Sequence, residues 1–172
     1  MRVTPSVVPP LNAPQSAQAA IGQYDVRVTP MQMAMVSAGI ANKGTVMKPY
    51  LVKDTRSSSL DLIDQTQPEQ LSQAVSPAVA AALTRMMVTV VQSGTGTPAQ
   101  IPGIQVAGKT GTAQHVKGGN PHAWFTAFAP ASDPQVAVAV VVEDGGNAGS
   151  EAYGGAVAGP IARAVMEAVL KP

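Results

Sequence analysis

The chain of 172 residues contains no cysteine, and aromatic residues make up only 3% of it. The absence of cysteine excludes disulfides and thiolate chemistry. Charged residues account for 12% of the chain, the formal net charge is +1, and the basic residues are scattered. Because nucleic acids require a dense cationic surface, a nucleic-acid partner is not expected.

Long hydrophobic runs are also absent. No stretch approaches the roughly 20 apolar residues that cross a bilayer. The first residues, MRVTPSVVPPLNAP, are interrupted by proline and lack the apolar segment of a secretion signal. If the protein works outside the cytoplasm, another element must deliver it there.

Metal ligands are few. His115 and His122 are the only histidines, and no cysteine or run of carboxylates accompanies them. We expect both to be solvent-facing strand residues, and we expect Asp144 to be a turn carboxylate. The sequence therefore predicts neither a metal nor a cofactor.

Hydrophobic residues make up 45% of the chain, enough for one core. We expect residues 1–172 to form a single domain. Proline, alanine, glutamine and serine dominate residues 1–20, which favours an extended connecting arm.

Three helices are predicted from caps and apolar spacing. Thr29 and Pro30 open a helix that is apolar around most of its circumference, so we expect it to be buried. Ser76 and Pro77 open a second helix, which Gly94 ends. The apolar stripes expected to face the core are Val79, Leu83, Met86 or Met87 and Val90 in the second helix, and Val157, Ile161, Val165 and Val169 in a closing helix.

Alternating and β-branched segments predict strands at residues 45–53, 60–64, 104–116, 123–130 and 135–143. Short turn-rich links join the last three, which favours an antiparallel meander. We expect Val136–Val142 to be the most buried strand of this sheet. The fold class is therefore α+β, an antiparallel sheet flanked by helices.

The segment GIQVAGKTGTAQ, residues 103–114, matches two motifs. Residues 103–110 fit the phosphate-binding pattern G-x-x-x-x-G-K-[ST], which requires a helix starting at Lys-Thr. Residues 109–111 read K-T-G, which requires an open strand edge. Glycine and proline soon after Thr110 disfavour a helix, so nucleotide binding is the weaker interpretation.

The K-T-G interpretation has a physical basis. An extended peptide can add to a strand edge, and Gly111 removes the side chain that would block its approach. Lys109 supplies positive charge, and Thr110 and Thr112 supply hydroxyls, for the carboxylate of a peptide with a free C-terminus.

The surrounding amino-acid sequence, from about residue 18 to 170, resembles the C-terminal part of the transpeptidase domain of penicillin-binding proteins. The similar segments are AIGQYDVRVTPMQMAMVSAGIANKGTVMKPYLV, LTRMMVTVVQSGTGTPAQ, GKTGTAQ and HAWFTAFAP. Tyr24 stands where that family often has a second glycine. This resemblance implies a β-lactamase/transpeptidase-like fold.

The resemblance also implies acyl transfer through a serine, which cross-links peptidoglycan stem peptides and is the target of β-lactams. By motif, Lys109, Thr110 and Gly111 are the third signature. Thr112 would contribute its backbone N–H to the oxyanion hole, and Trp124 could touch substrate. The intact protein would lie at the extracytoplasmic face of the plasma membrane.

The nucleophile serine of that family lies in S-x-x-K, and no serine of this chain has a lysine three residues on. We therefore expect an incomplete, C-terminal portion of the domain, lacking the first strands and the nucleophile helix. It would be inactive alone and would need the missing N-terminal half as its partner. The alternatives are a non-catalytic module that binds peptidoglycan or a partner protein and, less favoured, a nucleotide-binding protein.

Overall fold

The computed structural model describes residues 5–115 and 118–170. Its α-helices are α1 (Ala13–Ala19), α2 (Pro30–Ala41), α3 (Pro77–Ser93) and α4 (Gly154–Leu170). Its strands are β1 (Thr45–Met47), β2 (Asp54–Arg56), β3 (Leu62–Gln65), β4 (Gln70–Gln73), β5 (Ala107–Ala113), β6 (His122–Ala129) and β7 (Val136–Val142). Thr97–Ala99 form a short 3₁₀ segment, and Glu143–Glu151 contain 3₁₀ turns that non-helical backbone at Asp144, Gly145, Gly146 and Gly149 interrupts. The α+β class is confirmed.

The central sheet is an antiparallel meander in the order β5-β6-β7. Its strands lie inside the predicted segments 104–116, 123–130 and 135–143, except that β6 begins one residue earlier. Residue 116, at the end of the first segment, lies outside the described residues. β5 is shorter than predicted because residues 101–104 form a turn closed by an isolated bridge.

The most buried strand is β6, so the expectation for Val136–Val142 is wrong. Five consecutive residues of β6, from Phe125 to Ala129, are buried, whereas every residue of β7 is half-buried. β6 has hydrogen-bonded neighbours on both sides, and α2 and α4 both contact it. β7 is an edge strand, so its outer side lacks a neighbour within the described chain.

Helix α4 packs on the sheet with a face that is rotated by about one residue from the predicted stripe. Ile161, Val165 and Val169 are exposed. The buried residues are Gly154, Gly155, Ala158, Gly159, Ala162 and Met166. Small residues let the helix axis come close to the strands, which leaves the valine stripe on the outside.

Helix α3 has the predicted ends: the Ser76 side chain accepts a hydrogen bond from the Val79 N–H, and Gly94 is the C-cap. Its buried face is rotated by about one residue from the predicted stripe. Val79 and Met86 are exposed. The buried positions are Ala80, Met87, Val88 and Val91.

Helix α2 begins as predicted, because the Thr29 side chain accepts a hydrogen bond from the Gln32 N–H. It is not a buried helix, however. Only Ser37 and Gly39 are buried, since just one side of the helix contacts the sheet. Within the predicted extended arm, Ala13–Ala19 form α1, which Asn12 caps together with Gln15 in a capping box. Residues 1–4 of that arm lie outside the described residues.

Two small ribbons lie between α2 and α3. β1 pairs with β4 and β2 pairs with β3, both antiparallel. The predicted strand 45–53 ends at Met47, two residues before Pro49, and the predicted strand 60–64 corresponds to β3. The sequence did not predict β4, since three of its four residues are polar and all four are exposed. Within residues 5–115 and 118–170, no helix is both long and apolar enough to span a membrane.

Candidate functional site

The candidate site is the outer edge of β5, the strand that contains K-T-G. β5 pairs only with β6 in the described sheet, so its other edge is open. Its register sets Lys109 opposite Thr126 and Gly111 opposite Trp124. Because side chains alternate along a strand, Lys109 and Gly111 share one face. This is the face of the sheet on which α2 packs, since the Thr126 hydroxyl donates to a carbonyl oxygen of that helix.

Lys109 is exposed, and its Nζ donates a hydrogen bond to the carbonyl oxygen of the adjacent Thr110. Within the described part of the chain, no carboxylate forms an ion pair with it. Its ammonium is therefore not neutralised by the protein. A solvent-facing cation on an open strand edge is suited to bind a carboxylate.

The two threonines lie on the other face of β5. Thr112 is exposed, whereas the Thr110 hydroxyl lies 2.8 Å from the Thr95 hydroxyl, with which it forms a hydrogen bond. Thr110 thus already has a partner in the loop after α3. Its hydroxyl holds that loop against β5, a role that sequence reasoning did not predict.

Gly111 lies beside Trp124 on β6. A Cβ added to Gly111 would lie 3.2 Å from the Trp124 Cβ, tighter than normal packing. Trp124 is half-buried. The structure therefore brings Lys109, Gly111 and Trp124 together on one face of the sheet.

The phosphate-loop interpretation fails on backbone geometry. A phosphate loop needs a helix that starts at Lys-Thr and directs its N–H groups at the anion. Instead β5 continues as a strand through Lys109 and Thr110 to Ala113. The described backbone shows no helix after Thr110 until Glu143.

A buried hydroxyl pair beneath Lys109 was not predicted. Ser37 of α2 and Thr126 of β6 lie 2.5 Å apart between their hydroxyl oxygens, and both are buried. Thr126 is also within hydrogen-bond distance of the carbonyl oxygens of Met33 and Val138. The sequence feature that could have indicated this pair is that Ser37 and Thr126 are each the single hydroxyl residue within an apolar run.

Two glycines at the start of α4 were also missed. A Cβ on Gly154 would lie 2.0 Å from the Trp124 carbonyl oxygen, and one on Gly155 would lie 1.8 Å from the Thr95 carbonyl oxygen. Only glycine permits this approach. The pair brings the first turn of α4 directly against β5 and β6.

The family model of the penicillin-binding protein transpeptidase domain matches residues 5–167. The chain belongs to the penicillin-binding protein transpeptidase family. It is 51% identical over 166 residues to the peptidoglycan D,D-transpeptidase PbpA of Mycolicibacterium smegmatis, covering 95% of this chain and 33% of that protein. It is 48% identical to the Mycobacterium tuberculosis PbpA, covering 99% of this chain and 35% of that protein. The chain thus spans about a third of the length of these relatives.

Solved structures of this transpeptidase family match the fold. The crystal structure of M. tuberculosis PBPA superposes with a TM-score of 0.87 at 47% identity, covering 99% of this chain and 41% of that one. The penicillin G acyl-enzyme complex of penicillin-binding protein A from the same organism gives a TM-score of 0.84 at 48% identity, covering 99% and 39%. The transpeptidase-like fold and the family predicted from the sequence are both confirmed.

Proposed function

We propose that this chain supplies the substrate-binding strand of a serine D,D-transpeptidase that cross-links peptidoglycan stem peptides. The observation that carries the proposal is the open edge of β5, on which the exposed Lys109 lacks a carboxylate partner among the described residues. The family of the chain supports it, because the named relatives are D,D-transpeptidases.

In this proposal a stem peptide lies along β5 as an additional strand. Lys109 attracts the carboxylate of its terminal D-alanine, and the missing side chain of Gly111 leaves room for the peptide backbone. The backbone N–H of Thr112 donates to the oxyanion of the tetrahedral intermediate, where one such donor contributes roughly 100- to 1000-fold in rate. Trp124 borders the bound peptide beside Gly111. Thr110 and Thr112 complete the substrate-binding set through the backbone of β5, since their side chains lie on its other face.

The nucleophile comes from outside this chain, because no serine here is followed by lysine at the third position. We propose that residues 1–172 form one domain unit, and that the preceding half of the transpeptidase domain completes it. The outer side of β7 and the exposed apolar face of α4 are surfaces on which that half can pack. Without it the chain does not acylate.

The same proposal places the complete protein in the cell envelope, at the extracytoplasmic face of the plasma membrane, where peptidoglycan is assembled. β-Lactams are its inhibitors, since they mimic the substrate terminus. A related M. tuberculosis protein forms a penicillin G acyl-enzyme.

Labelling with fluorescent penicillin tests this function. We expect the 172-residue chain alone to remain unlabelled, and its mixture or fusion with an N-terminal half carrying S-x-x-K to be labelled covalently. Labelling that requires the added serine supports the transpeptidase. A reconstituted domain that folds and binds stem peptides without being labelled would instead indicate a non-catalytic binding module.

A further inference from the structure

Three potential metal ligands that are distant in sequence meet beyond the end of β5. They are His115 just after β5, His122 at the start of β6, and Asp144 just after β7. One donor atom from each side chain lies within 4.8 Å of the other two. The sheet register explains the meeting. Ala113 is opposite His122, so His115 is its diagonal neighbour on the same face, and Ala123 is opposite Val142, which leads the chain to Asp144.

The two imidazole rings are stacked. Their centroids are 3.9 Å apart and their planes differ by 7°. The His115 Nε2 lies 3.2 Å from the Asp144 Oδ1, and the Asp144 N–H donates to the His122 Nδ1 at 3.0 Å. Both rings therefore direct a nitrogen at residue 144.

We propose that His115, His122 and Asp144 bind a divalent transition metal ion of the zinc type. Two imidazoles and a carboxylate form a donor set that zinc uses, with a fourth position left for water. Tetrahedral zinc holds such donors about 3.3 to 3.5 Å apart. The His115 and Asp144 donors already have nearly this separation, at 3.2 Å.

The His122 ligand is Nδ1. It accepts a hydrogen bond from a backbone N–H, so it carries the lone pair that a metal requires. Metal binding replaces that hydrogen bond. Since no two donors are more than 4.8 Å apart, none must move closer by more than about 1.5 Å to reach tetrahedral zinc geometry. The side chains are free to make this shift, because those of His115 and Asp144 are 36% and 68% exposed.

A bound ion joins three segments at the end of the β5–β6 hairpin. His115 lies only three residues after Thr112, so the ion would anchor the far end of the K-T-G strand to the segment after β7. We expect its occupancy to reduce the motion of β5. This inference is independent of the proposed transpeptidase activity.

Composition makes the site easy to test. The chain has two histidines and no cysteine, so tag-free protein offers few competing ligands. Co²⁺ is titrated into the 172-residue chain, co-purified with the preceding half of the domain if the chain alone precipitates. We expect the intense visible absorption of four-coordinate cobalt at one ion per chain, reversed by Zn²⁺.

Variants identify the ligands. His115→Gln, His122→Gln and Asp144→Asn should each weaken cobalt and zinc binding by more than about tenfold. Asp133→Asn, which alters an exposed carboxylate on another turn, is the matched control and should bind as the unmodified chain does. Circular dichroism melting verifies that each variant is folded.

A measurement on the unmodified chain covers any variant that does not fold. In ¹⁵N spectra with only this chain labelled, Zn²⁺ should shift the ring signals of both histidines together. Absence of tetrahedral cobalt absorption at millimolar metal overturns the proposal. So does a shift of one histidine alone, or full affinity in Asp144→Asn.

Discussion

Gly154, the first residue of α4, lies in direct contact with Gly111 of the K-T-G motif. A Cβ on Gly154 would lie 2.6 Å from the Gly111 carbonyl oxygen and 2.8 Å from its nitrogen. The start of α4 therefore supports β5 from behind at the residue where a substrate peptide is proposed to lie. The missing side chain of Gly154 makes this approach possible.

Gly154→Ala is expected to destabilise the protein. The added methyl group would be 2.0 Å from the Trp124 carbonyl oxygen, so α4 must shift away from the sheet. Overpacking of this kind costs about 1 to 3 kcal/mol of unfolding free energy. Urea unfolding followed by circular dichroism measures the change.

Gly159→Ala is the matched control in the same helix. A Cβ there would meet its nearest neighbours at 3.7 Å, an ordinary contact. We expect a smaller change than at Gly154, because the gain of alanine in a helix interior is offset by the restriction that Pro160 places on the residue before it. Equal effects of the two substitutions would contradict the close contact at Gly154.

Thr126→Val should destabilise the protein by about 1 to 3 kcal/mol, because it leaves the buried Ser37 hydroxyl without its partner. A hydroxyl has one proton, so Ser37 can donate to Thr126 while Thr126 donates to one backbone carbonyl. Combining Ser37→Ala with Thr126→Val should cost less than the sum of the single changes. A double-mutant cycle from urea unfolding measures this coupling, and strict additivity would show that the hydroxyls do not interact.

Lys109→Ala in the reconstituted domain should slow acylation by penicillin while leaving the melting temperature unchanged. The side chain is exposed and, among residues 5–115 and 118–170, bonds only to the adjacent backbone, so its removal costs little stability. Losing a hydrogen bond to a charged carboxylate, about 1.5 to 3 kcal/mol, lowers the rate by about 10- to 150-fold. Stopped-flow labelling measures the rate, and Lys53→Ala, at another exposed lysine, is the control. Unchanged kinetics would remove Lys109 from the proposed site.

Val165→Lys tests the surface proposed for the preceding half of the domain. Val165 is 44% exposed on the apolar face of α4. We expect the isolated chain to be prone to aggregation through this face and the β7 edge, and lysine to improve its solubility while weakening assembly with the other half. Analytical ultracentrifugation and pull-down measure both effects.

Val52→Lys is the corresponding control, since Val52 is 60% exposed and lies far from α4 in the sequence, between β1 and β2. It should leave assembly unchanged. A monomeric isolated chain that unfolds in one sharp, cooperative transition would contradict the expected need for the other half.

Local chemistry explains what could be predicted from the sequence. Thr29 and Ser76 accept hydrogen bonds from the N–H groups three residues on, as their positions before Pro30 and Pro77 indicated. Glycine and proline after Thr110 correctly disfavoured a helix there. Each of these features depends on neighbours within a few residues.

The errors share another origin. In α4 the sequence offers one stripe of valine and isoleucine and another of glycine and alanine, and hydrophobicity alone favours the first. The small-residue stripe faces the sheet because Gly154, Gly155 and Ala158 allow a closer approach. The proximity of His115, His122 and Asp144 likewise could not be predicted from the sequence, because the strand register brings them together.

The sequence by itself determined the starts of α2 and α3, the three-stranded meander, the K-T-G strand and the family, because these depend on caps, alternation and ordered motifs. Only the tertiary structure decided which helix faces are buried, that β6 is the central strand, and which residues Lys109 contacts. Burial depends on how closely separate elements approach one another. That distance is set by side-chain volumes on both partners, and residues remote in sequence contribute to it.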